Sequence, residues 1–175
     1  MNGWQTSRMT LNNMNKITKE DLVKYLVTNF KNESGYVDLN DLDFTNEDIL
    51  GVHITRMKVD GELCQGGQEV NGDLYQEMQR VNGDLHQGVQ RVEGNLYQES
   101  QKVGVNLYQA KQAVGKDLYQ EDQTAEGELY QYGQQVKGGL YQGAQRVKGD
   151  LWQEAQEVGG DLIQSRQQVE GQIVD

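Results

Sequence analysis

The sequence predicts an all-β solenoid, a β-helix of eleven-residue repeats, and three observations predict it. The pattern Val-x-Gly-Asp-Leu-Tyr-Gln-x-x-Gln-x recurs without an insertion from Val59 to Asp175, and a fixed short period is the mark of a repeat architecture. Position five is Leu in ten successive units, Leu63 to Leu162, positions seven and ten are Gln in all ten, and position one is Val except at Ala125. Glycine holds position three in nine of the eleven units and moves to position two as Gly104 and Gly115. A continuous helix could also align Val and Leu, since eleven residues make close to three turns. At about 1 kcal/mol for each interior glycine, it would lose about 10 kcal/mol against alanine.

The elements follow in chain order. Residues 1–17 contain "MNGWQTSRMTLNN", which has no periodicity and is expected to be flexible; Met14 is a second candidate start. Thr18 followed by Asp21 reads as a helix start. Leu22, Val23, Leu26 and Phe30 then give an apolar stripe, so 18–35 is expected to be a short α-helical cap on the solenoid. In 36–58, "YVDLNDLDF" and "GVHITRM" alternate apolar and polar residues, the pattern of irregular strands leading into the array. The array itself is 59–175.

Within each unit, residues two apart on a strand share a side. Val, Gly, Leu and the first Gln therefore face inward, the position-four acid and Tyr face outward, and positions eight to eleven form the corner. Two repeats per coil, 22 residues, give a flattened tube of two short sheets. Rungs about 4.8 Å apart stack like on like: Val on Val, Leu on Leu, Gln on Gln, Tyr on Tyr. One inserted residue would turn the apolar face outward, which explains the invariant spacing. The last coil is left without a neighbour, and a homodimer through the C-terminal coil is expected.

Composition bounds the function. A hydrophobic fraction of 35% and a net charge of −11 also occur in disordered chains, but those do not hold large apolar residues at a fixed period. The single cysteine, Cys64, forms no intramolecular disulfide framework and suits a reducing cytoplasm. No signal-peptide core or bilayer-spanning run is present, so a cytoplasmic location is expected. Acidity argues against direct nucleic-acid binding and against an anionic membrane surface. It favours a protein partner with a basic surface.

No catalytic constellation is expected, nor any metal or cofactor. His53 and His86 lack cysteine or carboxylate neighbours at ligand spacing. Cys64 takes a Tyr position, and the Gly spacings lack the Gly-Lys-Ser/Thr of a phosphate loop. What remains is the surface. From Val59 onward nineteen Asp/Glu stand against nine Lys/Arg, whereas the first 58 residues carry eight against seven. The candidate partner-binding face is Glu62, Asp73, Asp84, Asp117, Glu128, Asp150 and Asp161, with Tyr75, Tyr97, Tyr108, Tyr119, Tyr130, Tyr141 and Trp152. Arg80, Arg91, Lys102 and Arg146 are placed at the corners.

In the way "VDLNDLDF" runs into "GDLYQ" ladders, the chain from about Tyr36 onward resembles bacterial and phage β-solenoid proteins of the pentapeptide-repeat kind, and also repeat proteins of prophages. The resemblance implies a DNA mimic that inhibits a host nucleic-acid-handling or defence complex. The period here is eleven and not five, so neither a square coil of five-residue sides nor any functional position carries over. The expected function is thus a non-enzymatic acidic protein that binds a basic protein surface. The alternatives are a structural, self-assembling repeat protein and an eleven-residue-repeat helix on membranes or in desiccation.

Overall fold

A β-strand two residues long makes too few hydrogen bonds to stand alone, so the short strands of this repeat form only by stacking. The computed structural model describes residues 36–38, 43–44, 51–59 and 61–175. The expected flexible N-terminus and the capping helix at 18–35 lie outside the described residues. Those described form about six coils of a β-solenoid, two repeats to the coil. Among them no helix occurs, so the continuous helical rod is not the architecture.

Each coil has four sides, where the sequence suggested two walls. Face A runs from Tyr36–Asp38 through Glu62–Cys64, Leu85–His86, Leu107–Tyr108, Leu129–Tyr130 and Leu151–Trp152 to Ile173–Val174. Face B stacks Asp43–Phe44, Glu69–Val70, Arg91–Val92, Ala113–Val114, Gln135–Val136 and Glu157–Val158. Face C stacks Gly51–His53, Asp73–Tyr75, Leu96–Tyr97, Leu118–Tyr119, Leu140–Gly143 and Leu162–Ser165. Face D stacks Lys58–Val59, Arg80–Val81, Lys102–Val103, Thr124–Ala125, Arg146–Val147 and Gln168–Val169. The chain visits A, B, C and D in turn, so A lies opposite C and B opposite D. All pairing is parallel and in register, Leu96 on Leu74 and Val103 on Val81.

The strands before Val59 are already part of this stack. Val52 pairs with Leu74 and Val59 with Val81 at the usual interval. Val37 pairs with Leu63 and Phe44 with Val70 at a longer one. The four extra residues of this first coil fall between Phe44 and Gly51, outside the described residues.

Two corners alternate, and they differ. After Gln at position seven the chain turns through a left-handed residue at position nine: φ lies at 51–65° at Met78, Val89, Ser100, Lys111, Asp122, Ala144, Ala155 and Arg166, and at Gly67 and Gly133. This turn resets the inward–outward alternation, so position ten points inward. The second Gln, expected in the corner, is instead core: Gln68, Gln79, Gln90, Gln101, Gln112, Gln123, Gln134 and Gln145 are buried. The other corner is the bend after Val. Glycine sits there and not on the inner strand face, because the coil below approaches too closely for a Cβ. One built on Gly104 would lie 2.3 Å from the Asn82 carbonyl oxygen, and one on Gly115 2.2 Å from that of Glu93.

The interior therefore holds, per coil, two Val, two Leu and four Gln. Leu63 through Leu151 are fully buried. Burial of unpaired amides would be costly, and here their donors are paired. From Gln87 to Gln142 each position-seven Nε2 donates to the Gln Oε1 one coil below and to the second Gln of the preceding repeat: Gln98 donates to Gln76 and Gln90, both at 3.1 Å. From Gln90 to Gln156 each position-ten Nε2 donates to the Gln Oε1 one coil below and to a backbone carbonyl, as Gln90 does to Gln68 (3.1 Å) and to the Gln65 carbonyl oxygen (2.7 Å). A carbonyl only accepts, so that last bond fixes which way every amide points.

Candidate interaction faces

The residues expected on one outer face divide between two opposite faces. Glu62, Asp84, Tyr108, Glu128, Tyr130, Asp150 and Trp152 lie on face A. Asp73, Tyr75, Tyr97, Asp117, Tyr119, Tyr141 and Asp161 lie on face C. The cations expected at corners lie on strands: Arg91 on face B, and Arg80, Lys102 and Arg146 in one column on face D.

Position four is tied into the frame. The Asp73 Oδ1 accepts the Asn95 backbone N–H one coil above at 2.7 Å; Asp84, Asn95, Asn106, Asp117 and Asp150 do the same. That oxygen occupies the place a Cβ would take on the next glycine, 2.3 Å from one on Gly94 and from one on Gly138. Gly-Asp is thus a single device, with the glycine making room for the carboxylate of the coil below. Asn serves as well as Asp, which explains Asn95 and Asn106. Fixing these oxygens leaves less of each carboxylate for a partner.

The tyrosines form two stacks. On face C, His53, Tyr75, Tyr97, Tyr119 and Tyr141 lie ring on ring at 4.3–4.9 Å with planes within 6°. On face A, His86, Tyr108 and Tyr130 stack at 4.5 and 4.8 Å, with Trp152 6.1 Å above Tyr130. Cys64 pairs in register with His86 at the foot of this column. The histidines are therefore members of the stacks. Ring faces within a stack are covered by neighbours, so solvent meets edges and hydroxyls only, and a cation cannot sit on them. The hydroxyls are engaged too: Tyr75 donates to Asp73 and Tyr119 to Asp117 at 3.3 Å, Tyr130 donates to Glu128, and Tyr97 accepts from Asn95. Burial and the neighbouring Asp117 push the Tyr119 hydroxyl up to about 12. The bond to Glu128, then burial, does the same for Tyr130. These tyrosines are better described as ladder members than as interface anchors.

A second acid column on face C was not singled out from the sequence. Glu77, Glu99 and Glu121 occupy position eight on three consecutive coils. Partial burial and then the charges of Glu77 and Glu121 raise the Glu99 carboxyl above its ordinary value. The missed signal was the 22-residue spacing: position eight is acidic in units two, four and six and in none of the odd units between them, which shows only when units are read in pairs. Face A carries Glu62, Asp84, Glu128, Asp150 and Glu154 from position four to position eight and no Lys or Arg there, with Lys111 in the turn beyond at position nine. Face D carries Lys58, Arg80, Lys102 and Arg146 along its strands. Face B is mixed, with Arg91 and Glu69 paired at 3.3 Å.

Among the described residues no group of three or more His, Cys, Asp or Glu could hold a metal ion, and no helix is long and apolar enough to cross a membrane. The chain matches no protein-family model, no curated protein and no solved structure.

Proposed function

We propose that this protein is a non-enzymatic, acidic interaction rod whose faces A and C bind a basic protein surface, in the manner of a DNA mimic that keeps nucleic acid out of a host nucleic-acid-handling or defence complex. The observation that carries this reading is the sorting of charge by face. In the ten full repeats eleven acids stand on faces A and C, counting position four to position eight, against no cation at those positions. The array from Val59 carries a net −10. At about 4.8 Å per coil it is about 25 Å long, or roughly one net charge per 2.5 Å, of the order of the 1.7 Å of duplex DNA. The resemblance to pentapeptide-repeat solenoids supports the same reading, at the level of architecture alone.

The test is affinity capture on the immobilised protein from a bacterial lysate, followed by elution in rising salt and displacement of duplex DNA from whatever is captured. A basic DNA-binding protein eluting by about 0.5 M salt and losing DNA on binding supports the reading. A captured partner without excess positive charge, or salt-indifferent binding, sinks it.

A further inference from the structure

Two columns of unlike charge have the same repeat. On face D, Lys58, Arg80 and Lys102 occupy successive coils in register, all exposed. On face C, Glu77, Glu99 and Glu121 also occupy successive coils, Glu77 and Glu99 half-buried and Glu121 exposed, stacked through the Arg56–Glu77, Met78–Glu99 and Ser100–Glu121 backbone bonds. Among the described residues neither column forms an ion pair; the pairs there are Arg91 with Glu69 and Lys148 with Glu126. Each column sets three like charges about one strand spacing apart, roughly 4.8 Å, which is repulsive.

We infer that a second copy of this chain docks side by side, its face-D cation column lying against the face-C glutamate column of the first. Rigid frames with one common repeat make the match cooperative. Setting Arg80 against Glu99 brings Lys58 and Lys102 opposite the two flanking glutamates, whichever way the rods run. Gly104 keeps the face-D surface low beside Lys102, so the rods approach closely. The net charge of −11 on each molecule opposes approach at long range but is screened beyond about 8 Å at physiological salt, leaving the facing columns to act at contact. The contact is heterologous, since C and D are different faces, and leaves a free column at each side of the pair. An end-on pairing of C-terminal coils is less well matched, because there the Gln ladders would meet acceptor to acceptor. This inference uses only part of face C and leaves face A open to a different partner.

Sedimentation velocity of the full chain at about 50 mM and about 500 mM salt is the first measurement. Concentration-dependent association at the lower salt, lost at the higher, is expected. Two charge-reversed variants then decide the contact: E77K/E99K/E121K, and K58E/R80E/K102E. Each alone should remain monomeric at low salt, and an equimolar mixture should form a mixed complex. Should either reversal fail to fold by circular dichroism, E99Q and R80Q, which remove one charge each, should weaken low-salt association at least several-fold. A wild-type chain monomeric at low salt, association that survives high salt, or a mixture of folded variants that stays apart overturns the inference. None of these outcomes bears on capture of a basic partner through face A.

Discussion

Position nine is the residue at which every coil turns, and eight of its ten occupants from Gly67 to Arg166 are not glycine although φ is positive. A left-handed L-residue costs about 1–2 kcal/mol, and for the β-branched Val89 at φ 57° and 65% exposure no packing offsets it. Val89→Gly is therefore expected to raise stability by about 1 kcal/mol in urea unfolding; a loss would show that Val89 makes a contact this account omits. Glycine at the opposite bend has the reverse logic. Gly104→Ala forces a Cβ against the Asn82 carbonyl, which cannot move without parting two coils. A loss of about 2 kcal/mol or more is expected, with local amide exchange accelerating at Asn82 and Gly104.

At the scale of the element, the Gln ladders are polar. The Nε2 groups point toward the N-terminal coil, and there Ile54 and Met57, both buried at Gln positions, end the Gln76 and Gln79 columns. Gln79 donates to the Ile54 carbonyl at 2.7 Å, and Gln65 donates to the Met57 sulfur at 3.6 Å. Gln98→Leu would leave the Gln76 and Gln90 oxygens each one donor short and remove the acceptor of Gln120; about 2–3 kcal/mol of destabilisation is expected. Gln98→Glu should do worse as pH rises. A buried carboxyl there keeps its proton in the fold, so its folded-state pKa is raised and stability falls as pH climbs above the ordinary carboxylate range. Equal stability of that variant at pH 4 and pH 8 would contradict the ladder. The tyrosine stacks titrate in the same sense. Tyr119 and Tyr130, raised to about 12, favour the fold while neutral, and their contribution is lost as pH rises from about 10 toward 12. Tyrosinate absorbance should appear late, with unfolding rather than before it.

Alternation made the inward Val, Leu and first Gln legible from the sequence, and the 22-residue coil followed from the minimum perimeter of a packed tube. Gln68 and its equivalents were not placed, because period-two reasoning cannot see the left-handed residue that shifts the phase by one. Their invariance beside variable neighbours was the available clue. The four sides were missed for the same reason: one corner is spent at glycine and the other at position nine. The candidate face was read as one surface because successive units look alike, while successive units in fact lie on opposite sides.

For the whole molecule, function rests on how these sides sort charge, and that sorting exists only if each coil is one turn of 22 residues with four faces. Glu99→Gln tests the sorting at one point. It should raise stability at neutral pH, since the charged carboxyl stands between two like charges, and any loss would show a partner for Glu99 that the fold does not provide. The most direct test of the architecture is nitroxide pairs read by continuous-wave electron paramagnetic resonance, with Cys64 replaced by Ser. Labels at Arg80→Cys and Lys102→Cys, in register on face D, should sit about one strand spacing apart and broaden the spectrum strongly. Labels at Arg80→Cys and Arg91→Cys, on opposite faces, should not. Broadening in the second pair and none in the first would contradict the four-sided coil and the charged faces built on it.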